Sequence, residues 1–325
     1  MKFNKEDLFI YILIILCVIT VIPVNYYITT GGGISNVGER IELYTNNKTK
    51  GSFNLSYVTS LRGRVGSYLL SYIIPNWERE SFDGYKYSKE ENVNDLQFRS
   101  DFELKQANLS AVISAYTAAG LKVEIENKKM YVLAKDPKYK TDFKIGDQIV
   151  SADGIDFSLV ARITDLLDEK KEGDIVNFKI IRNGKEKEIK TPLKKMGNRL
   201  GIGILVGTNY DIKTNPKVKF KFKNDETGPS AGLMTSLEIY NRLVNEDLTK
   251  GRVIAGTGTI SSIGEVGEIG GVKFKLLGAE KKGANIFLCP KANYKEALKV
   301  HKKNKMKIKL IPVETLNDAI EKLKA

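Results

Sequence analysis

A single histidine, His301, stands among the 325 residues, inside the lysine-rich stretch HKKNKMKIKL. That scarcity excludes Ser-His-Asp triads and HExxH metallopeptidase sites, both of which need a histidine in a shaped site. His301 itself reads as a surface residue. The two cysteines, Cys17 and Cys289, offer neither a disulfide framework nor a zinc-ligand spacing, so no metal is expected. Phosphate-binding loops are missing as well. GTGTIS lacks the third glycine of G-x-G-x-x-G, and no G-x-x-x-x-G-K-[ST] occurs. No ATP site and no cofactor follow from this. Acids are outnumbered, 39 against 52 Lys and Arg, for a net charge of +13. The lysines near the C-terminus alternate with Met306, Ile308 and Leu310, the pattern of a strand's solvated face rather than of a nucleic-acid surface.

Charge is also absent from Leu8 to Val24, and Lys2 and Lys5 precede this run. The segment is long enough to span a bilayer, and the upstream lysines favour a cytoplasmic N-terminus with everything beyond residue 30 outside. A cleaved signal peptide is the alternative, but no A-x-A-like site follows the run. Residues 1–30 are therefore expected to form a cytoplasmic N-terminus and a single-pass transmembrane anchor in the cell membrane, leaving the remainder extracytoplasmic.

What is present divides the rest into three parts. Residues 31–119 begin with a strand, GSFNLSYV. A helix is expected over 61–77, a surface loop or flap over 78–106, and an apolar helix at NLSAVISAYTAAG. Residues 120–195 alternate short strands with the turn signals DG and NG, interrupted by one helix near Ser158–Lys170. Within this part FKIGDQIVSADGIDF, followed by EGDIVNFKIIRNGK, resembles PDZ domains. The resemblance implies a β-rich module that captures extended peptides as an added strand. The carboxylate-binding loop of that family is not recognisable, so a C-terminus and an internal segment both stand open as its ligand. Residues 196–325 alternate strands and helices, which predicts an α/β core.

In this last part TGPSAG places Ser230 between two glycines, Gly228 and Gly232, where a strand passes into a helix. Forty-three residues on, GEIGGVKFK places Lys273 after a glycine pair. A serine hydroxyl is a weak nucleophile until a base takes its proton. With no usable histidine, the base must be a lysine made neutral by burial. Ile269, Val272 and Phe274 give Lys273 an apolar setting. Lys275 competes with it, but on a helix it points about 200° away, with Lys282 on an exposed side. Backbone N–H groups at the start of the serine helix would stabilise an oxyanion.

The two motifs, in this order, resemble the proteolytic domain of Lon-type serine proteases. The resemblance implies a Ser230 nucleophile, a Lys273 general base and a hydrogen bond to that lysine from Thr257 in AGTG. Thr227 stands where many Lon domains carry an aspartate, which leaves open whether Asp225, Glu226 or no acid assists the dyad. Glu268 replaces the usual proline. The arrangement of anchor, inserted PDZ module and Lon-like domain without an ATPase resembles the membrane-anchored PDZ–Lon-like proteases of Gram-positive bacteria. In those proteins the PDZ module splits the protease domain, so the strand at 51–58 is expected in the catalytic sheet. The resemblance further implies an ATP-independent endopeptidase that cleaves extracytoplasmic proteins or peptides chosen through the PDZ domain, and a possible ring of identical subunits. Two other readings compete: a PDZ adaptor on an inactive Lon scaffold, and a signal-peptidase-like Ser-Lys enzyme. The latter family places its serine close to the membrane segment, whereas Ser230 lies about 200 residues away.

Overall fold

Pro23 cannot donate a backbone hydrogen bond, and the chain changes from helix to strand at that point. The computed structural model describes residues 5–45, 47, 49–157, 170–221 and 228–325. Helix α1 (Lys5–Thr20) is followed by strand β1 (Pro23–Asn36), β2 (Ile41–Leu43) and β3 (Ser52–Arg64). Among the described residues no helix is long and apolar enough to cross a membrane. Helix α1 ends at Thr20, so the helical part of the segment expected to run to residue 30 is shorter than that expectation. The residues from Pro23 onward are drawn into β1, whose Tyr27 to Thr29 pair with β3 on one side and with β4 on the other.

A short helix α2 (Val65–Leu70), strand β4 (Glu78–Ser81) and the long helix α3 (Val93–Ala118) complete the first part. The sequence suggested a helix over 61–77 and a loop over 78–106, and the structure differs in both places. Residues 61–64 stay extended because they pair with β1. α3 begins early because Asn92 caps it, accepting from the N–H groups of Asn94 and Asp95 while the Asp95 carboxylate accepts from Asn92 N–H. The polar first half of α3 is anchored by an internal ion pair, Arg99–Glu91 at 2.9 Å, rather than by an apolar stripe. Its second half buries Ala111, Val112, Ala115 and Tyr116.

The next strands form a separate antiparallel sheet: β5 (Val123–Lys135), β6 (Gln148–Ala152), β7 (Ile155–Asp156), β8 (Ile175–Arg182), β9 (Lys185–Pro192) and β12 (Ile204–Thr214). The short strands β10 (Lys194–Met196) and β11 (Arg199–Gly201) pair only with each other. The sheet order is β12-β5-β6-β8-β9, with β7 beside β6. Both dipeptide turns have the positive φ that a two-residue hairpin needs: 45° and 84° at Asp153-Gly154, 53° and 73° at Asn183-Gly184. Val132, Phe143, Phe178, Ile180 and Leu193 fill its core. β12, expected in the C-terminal part, instead belongs here because it pairs with β5 along almost its whole length. The helix expected near Ser158–Lys170 lies outside the described residues.

After β13 (Val218–Phe220), which pairs with β2, the chain returns to the first body. There follow α4 (Gly232–Leu243), β14 (Val253–Gly256), the small hairpin of β15 (Thr259–Ile260) and β16 (Val266–Gly267), α5 (Val272–Lys281), β17 (Ile286–Pro290), α6 (Tyr294–Lys303), β18 (Lys309–Val313) and α7 (Leu316–Lys324). The main sheet has the order β18-β17-β14-β3-β1-β4. β14, β17, β18 and β3 run parallel, and β1 and β4 are antiparallel additions at one edge. The early strand thus joins the late ones, as the resemblance implied, across the 120–195 insertion. Both faces are covered, so β14 and β17 are almost wholly apolar, while β3 also buries Asn54 and Ser56. Phe53, Ile254 and Leu288 face a core shared with α3, α4 and α7, while Ala255, Phe287 and Cys289 face α5 and α6.

Glycine sets how closely α5 lies on this sheet. A Cβ on Gly278 would stand 2.6 Å from the Gly32 carbonyl carbon and 2.7 Å from the Gly33 nitrogen, so backbone meets backbone. Gly278→Val should therefore force α5 away from β1 and cost about 1–3 kcal/mol. A thermal melt of the variant should show a clearly lowered Tm; an unchanged Tm would refute this packing.

Candidate active site

Ser230 is half-buried at the entrance of α4, after Gly228 (φ 83°) and Pro229. Gly232, two residues on, has no room for a side chain: a Cβ there would lie 2.7 Å from Ile260 Cγ2 and 3.0 Å from Ile260 N. This close approach brings the segment after β14 against the start of α4. Gly258 N–H donates to the Ser230 carbonyl at 2.9 Å, and Leu233 N–H donates to the Gly258 carbonyl at 3.1 Å. The backbone of Ser230 is thus clamped to residues 257–260. Asp225, Glu226 and Thr227 lie outside the described residues.

Thr257 is fully buried at the end of β14 and joins two of the expected site residues. Its hydroxyl donates to the Ser230 carbonyl at 3.2 Å and accepts from a lysine ammonium at 3.1 Å. That lysine is Lys275, not Lys273. Lys275 is 4% exposed, and its bond to Thr257 is the one hydrogen bond it makes among the described residues. Burial pushes its pKa down to about 8, because a desolvated ammonium is disfavoured. Lys273 occupies the opposite environment. Its ammonium forms a 2.7 Å ion pair with Glu78 on β4, with about a third of the side chain in solvent.

The sequence expectation for the two lysines is therefore reversed. They do point to different sides of α5, but the inward side is that of Lys275. The signal was available in the helical period. Val272, Lys275, Leu276 and Ala279 follow the i, i+3, i+4, i+7 pattern, and all four are buried. Counting apolar sequence neighbours favoured Lys273; counting helix-face neighbours selects Lys275. His301 is also placed differently from its surface reading, being half-buried with Nε2 2.8 Å from the Ile308 carbonyl oxygen. It sits on α6, remote in sequence from the Ser230–Thr257–Lys275 group.

Comparison with known proteins bears directly on this group. Residues 223–324 match the family described as the Lon protease (S16) C-terminal proteolytic domain, and residues 117–193 match the PDZ domain. The chain carries a Lon-type proteolytic domain and a PDZ domain. The match indicates a serine peptidase. Lon protease 1 of Myxococcus xanthus is 32% identical over 129 residues, which are 39% of this chain and 15% of that protein. Lon protease of Neorickettsia sennetsu is 37% identical over 93 residues, 29% of this chain and 11% of that protein. Lon protease of Mesomycoplasma hyopneumoniae is 40% identical over 88 residues, 27% of this chain and 10% of that protein. The chain thus spans only about a tenth to a seventh of the length of these relatives.

A buried lysine of this kind leaves a thermodynamic signature. Its folded-state pKa of about 8 lies below the ordinary 10.5, so the folded state binds fewer protons than the unfolded state between those values. The resulting penalty is complete below pH 8 and disappears above pH 10.5, with an upper bound of roughly 3 kcal/mol. Lys275→Met removes the penalty while conserving much of the volume. The variant should be more stable than the parent at pH 7, by roughly 1–3 kcal/mol, and the gap should close as pH rises towards 10.5. Denaturant unfolding at several pH values measures this. A variant uniformly less stable at every pH would contradict it.

Proposed function

We propose that this protein is an ATP-independent serine endopeptidase whose catalytic pair is Ser230 and Lys275, with Thr257 as the positioning residue. The observation that carries the reading is the buried Lys275 ammonium, held by a threonine hydroxyl that also holds the Ser230 backbone. Thr257 spends its only hydroxyl proton on the Ser230 carbonyl, so towards Lys275 it acts solely as an acceptor. A neutral Lys275 then donates one N–H to Thr257 and keeps its lone pair for another proton. Taking that proton from the Ser230 hydroxyl generates the nucleophile that attacks a substrate carbonyl. The resulting ammonium then protonates the departing amine, and a water repeats the cycle on the acyl-enzyme. Backbone N–H groups at the entrance of α4 are suited to stabilise the oxyanion, since the helix start favours negative charge.

The remainder of the proposal concerns where and on what the enzyme acts. α1 supplies a membrane anchor, with the catalytic body outside the cytoplasm. Phe9 to Ile19 on this helix are exposed all round, a surface suited to lipid. The PDZ module selects protein or peptide substrates, by adding an extended segment to a sheet edge. An open groove of about 640 Å³ supports communication between the two modules. Its walls come from both: Ile125 and Tyr210 from the PDZ-side sheet, Ile113 from α3, and Ile263 from the turn that follows β15.

Activity on an unfolded protein substrate tests the catalytic assignment. Ser230→Ala and Lys275→Arg should each lose roughly 10³-fold or more, and the double variant little further, because residues acting as a unit are not additive. Arginine keeps the charge but does not release a proton. Lys273→Arg should retain near-parental activity, since an exposed ion pair contributes under about 1 kcal/mol. The parent's kcat/KM should rise with pH through about 8 as Lys275 becomes neutral. An active Lys275→Arg enzyme, or a dead Lys273→Arg enzyme, would refute the assignment.

A further inference from the structure

We infer that α2 and the turn after it form a second membrane-contacting surface, which seats the catalytic body on the bilayer beside α1. The inference rests on the reading of α1 as an anchor and specifies what lies next to it. α1 has 16 residues, so it is about 24 Å long, short of the roughly 30 Å of a hydrocarbon core. Apolar surface continues where the helix stops. Val65 N–H donates to the Ile22 carbonyl at 2.9 Å, and a Cβ on Gly66 would lie 3.0 Å from Thr20 Cβ, so α2 is packed against the exit of α1. From this junction large apolar side chains project into solvent. Leu61 is 54% exposed, Leu69 57%, Leu70 47%, Tyr72 63% and Ile73 78%.

The chemistry around this patch is that of a bilayer interface rather than of a protein partner's core. Tyr26, Tyr68 and Tyr72 form a ladder, with ring centroids 5.0 Å and 5.6 Å apart and the hydroxyls of Tyr68 and Tyr72 joined at 3.1 Å. The Arg79 guanidinium lies 3.8 Å from the Tyr72 ring centroid. Tyrosines, with apolar rings and polar tips, concentrate at headgroup depth, and arginines there reach the phosphates. No Asp or Glu occurs between Glu42 and Glu78, while Arg62 and Arg64 are exposed within the segment. An arginine-bearing apolar surface, acid-free from residue 43 to 77 and continuous with a lipid-facing helix, matches an anionic leaflet. Such seating also fixes the height of the site. β3 runs from Arg64 at the patch to Leu55, which pairs with Gly256 next to Thr257, at most about 30 Å along nine residues of strand.

The single tryptophan, Trp77, makes depth measurable by fluorescence. In a Trp77→Phe background the sole tryptophan is moved to the patch (Ile73→Trp) or, as a control, to the exposed turn near the catalytic pair (Ile263→Trp). Each full chain is reconstituted in vesicles of equal parts phosphatidylcholine and phosphatidylglycerol, with acyl chains brominated near the headgroup. Both substituted residues are more than three-quarters exposed, so the fold should tolerate the changes. The expected result is strong quenching at position 73 and none at 263. A chain that floats with the vesicles yet shows no quenching at 73, or equal quenching at both positions, overturns the inference while leaving the anchor intact. A chain that does not float overturns the anchor reading and this inference with it. Disulfide-linked dimers of Ile73→Cys chains in the same vesicles would assign the patch to a second copy and overturn it too.

Discussion

The proposed chemistry depends on one ammonium group kept out of water, that of Lys275. Among the described residues no carboxylate stands beside Lys275; a threonine hydroxyl at 3.1 Å is its side-chain partner. A carboxylate would satisfy the charge and hold the lysine protonated, which would end its use as a base. Thr257 satisfies the group weakly enough that neutrality stays accessible near pH 8, and it does so from a position already bonded to Ser230. The desolvation that activates the lysine destabilises the fold. The rest of the architecture has to absorb that cost.

It does so through close packing at a few glycines. Gly278 lets α5 approach β1 at backbone contact, Gly232 lets Ile260 approach the start of α4, and Gly256 leaves room for Met234 Sδ and the Leu288 carbonyl. These contacts press two helices and one strand end together, and the three residues Ser230, Thr257 and Lys275 ride on them. The sheet beneath draws strands from both sides of the PDZ insertion. β3 supplies the strand beside β14, and β1 supplies the surface beneath α5. The insertion therefore interrupts the sequence of the catalytic body without interrupting its sheet. Lys273, paired to Glu78 of β4, ties α5 to the edge of that same sheet from its solvent side.

Much of this was legible in the residues. TGPSAG and AGTG marked two segments that the fold brings together, and the DG and NG dipeptides marked the two hairpins of the PDZ-side sheet. The α/β alternation of the C-terminal part came through because β14 and β17, buried on both faces, are short and almost wholly apolar. Three things were not legible, each for a local reason. The glycine pair before Lys273 drew attention away from the buried lysine, Lys275, because it sets the start of α5 and not the direction of its side chains. α3 was hidden because its first half is anchored by Arg99 and Glu91, so no apolar period announces it. The uncharged run beyond residue 20 resembled more helix, whereas Pro23 and the pairing of Tyr27 to Thr29 with β3 and β4 make it a strand. Charge counts do not distinguish a lipid-facing helix from the edge of a sheet.

The most direct test of the central claim reads the proton on Lys275 itself. With lysine side chains labelled at Nζ, the Lys275 resonance can be assigned by its loss in Lys275→Met and followed through a pH titration of the intact protein. Lys275 should titrate near pH 8, well separated from the bulk of the lysines. A Lys275 that titrates with the surface lysines near 10.5 would show that the group is not poised as a base, and would contradict the mechanism.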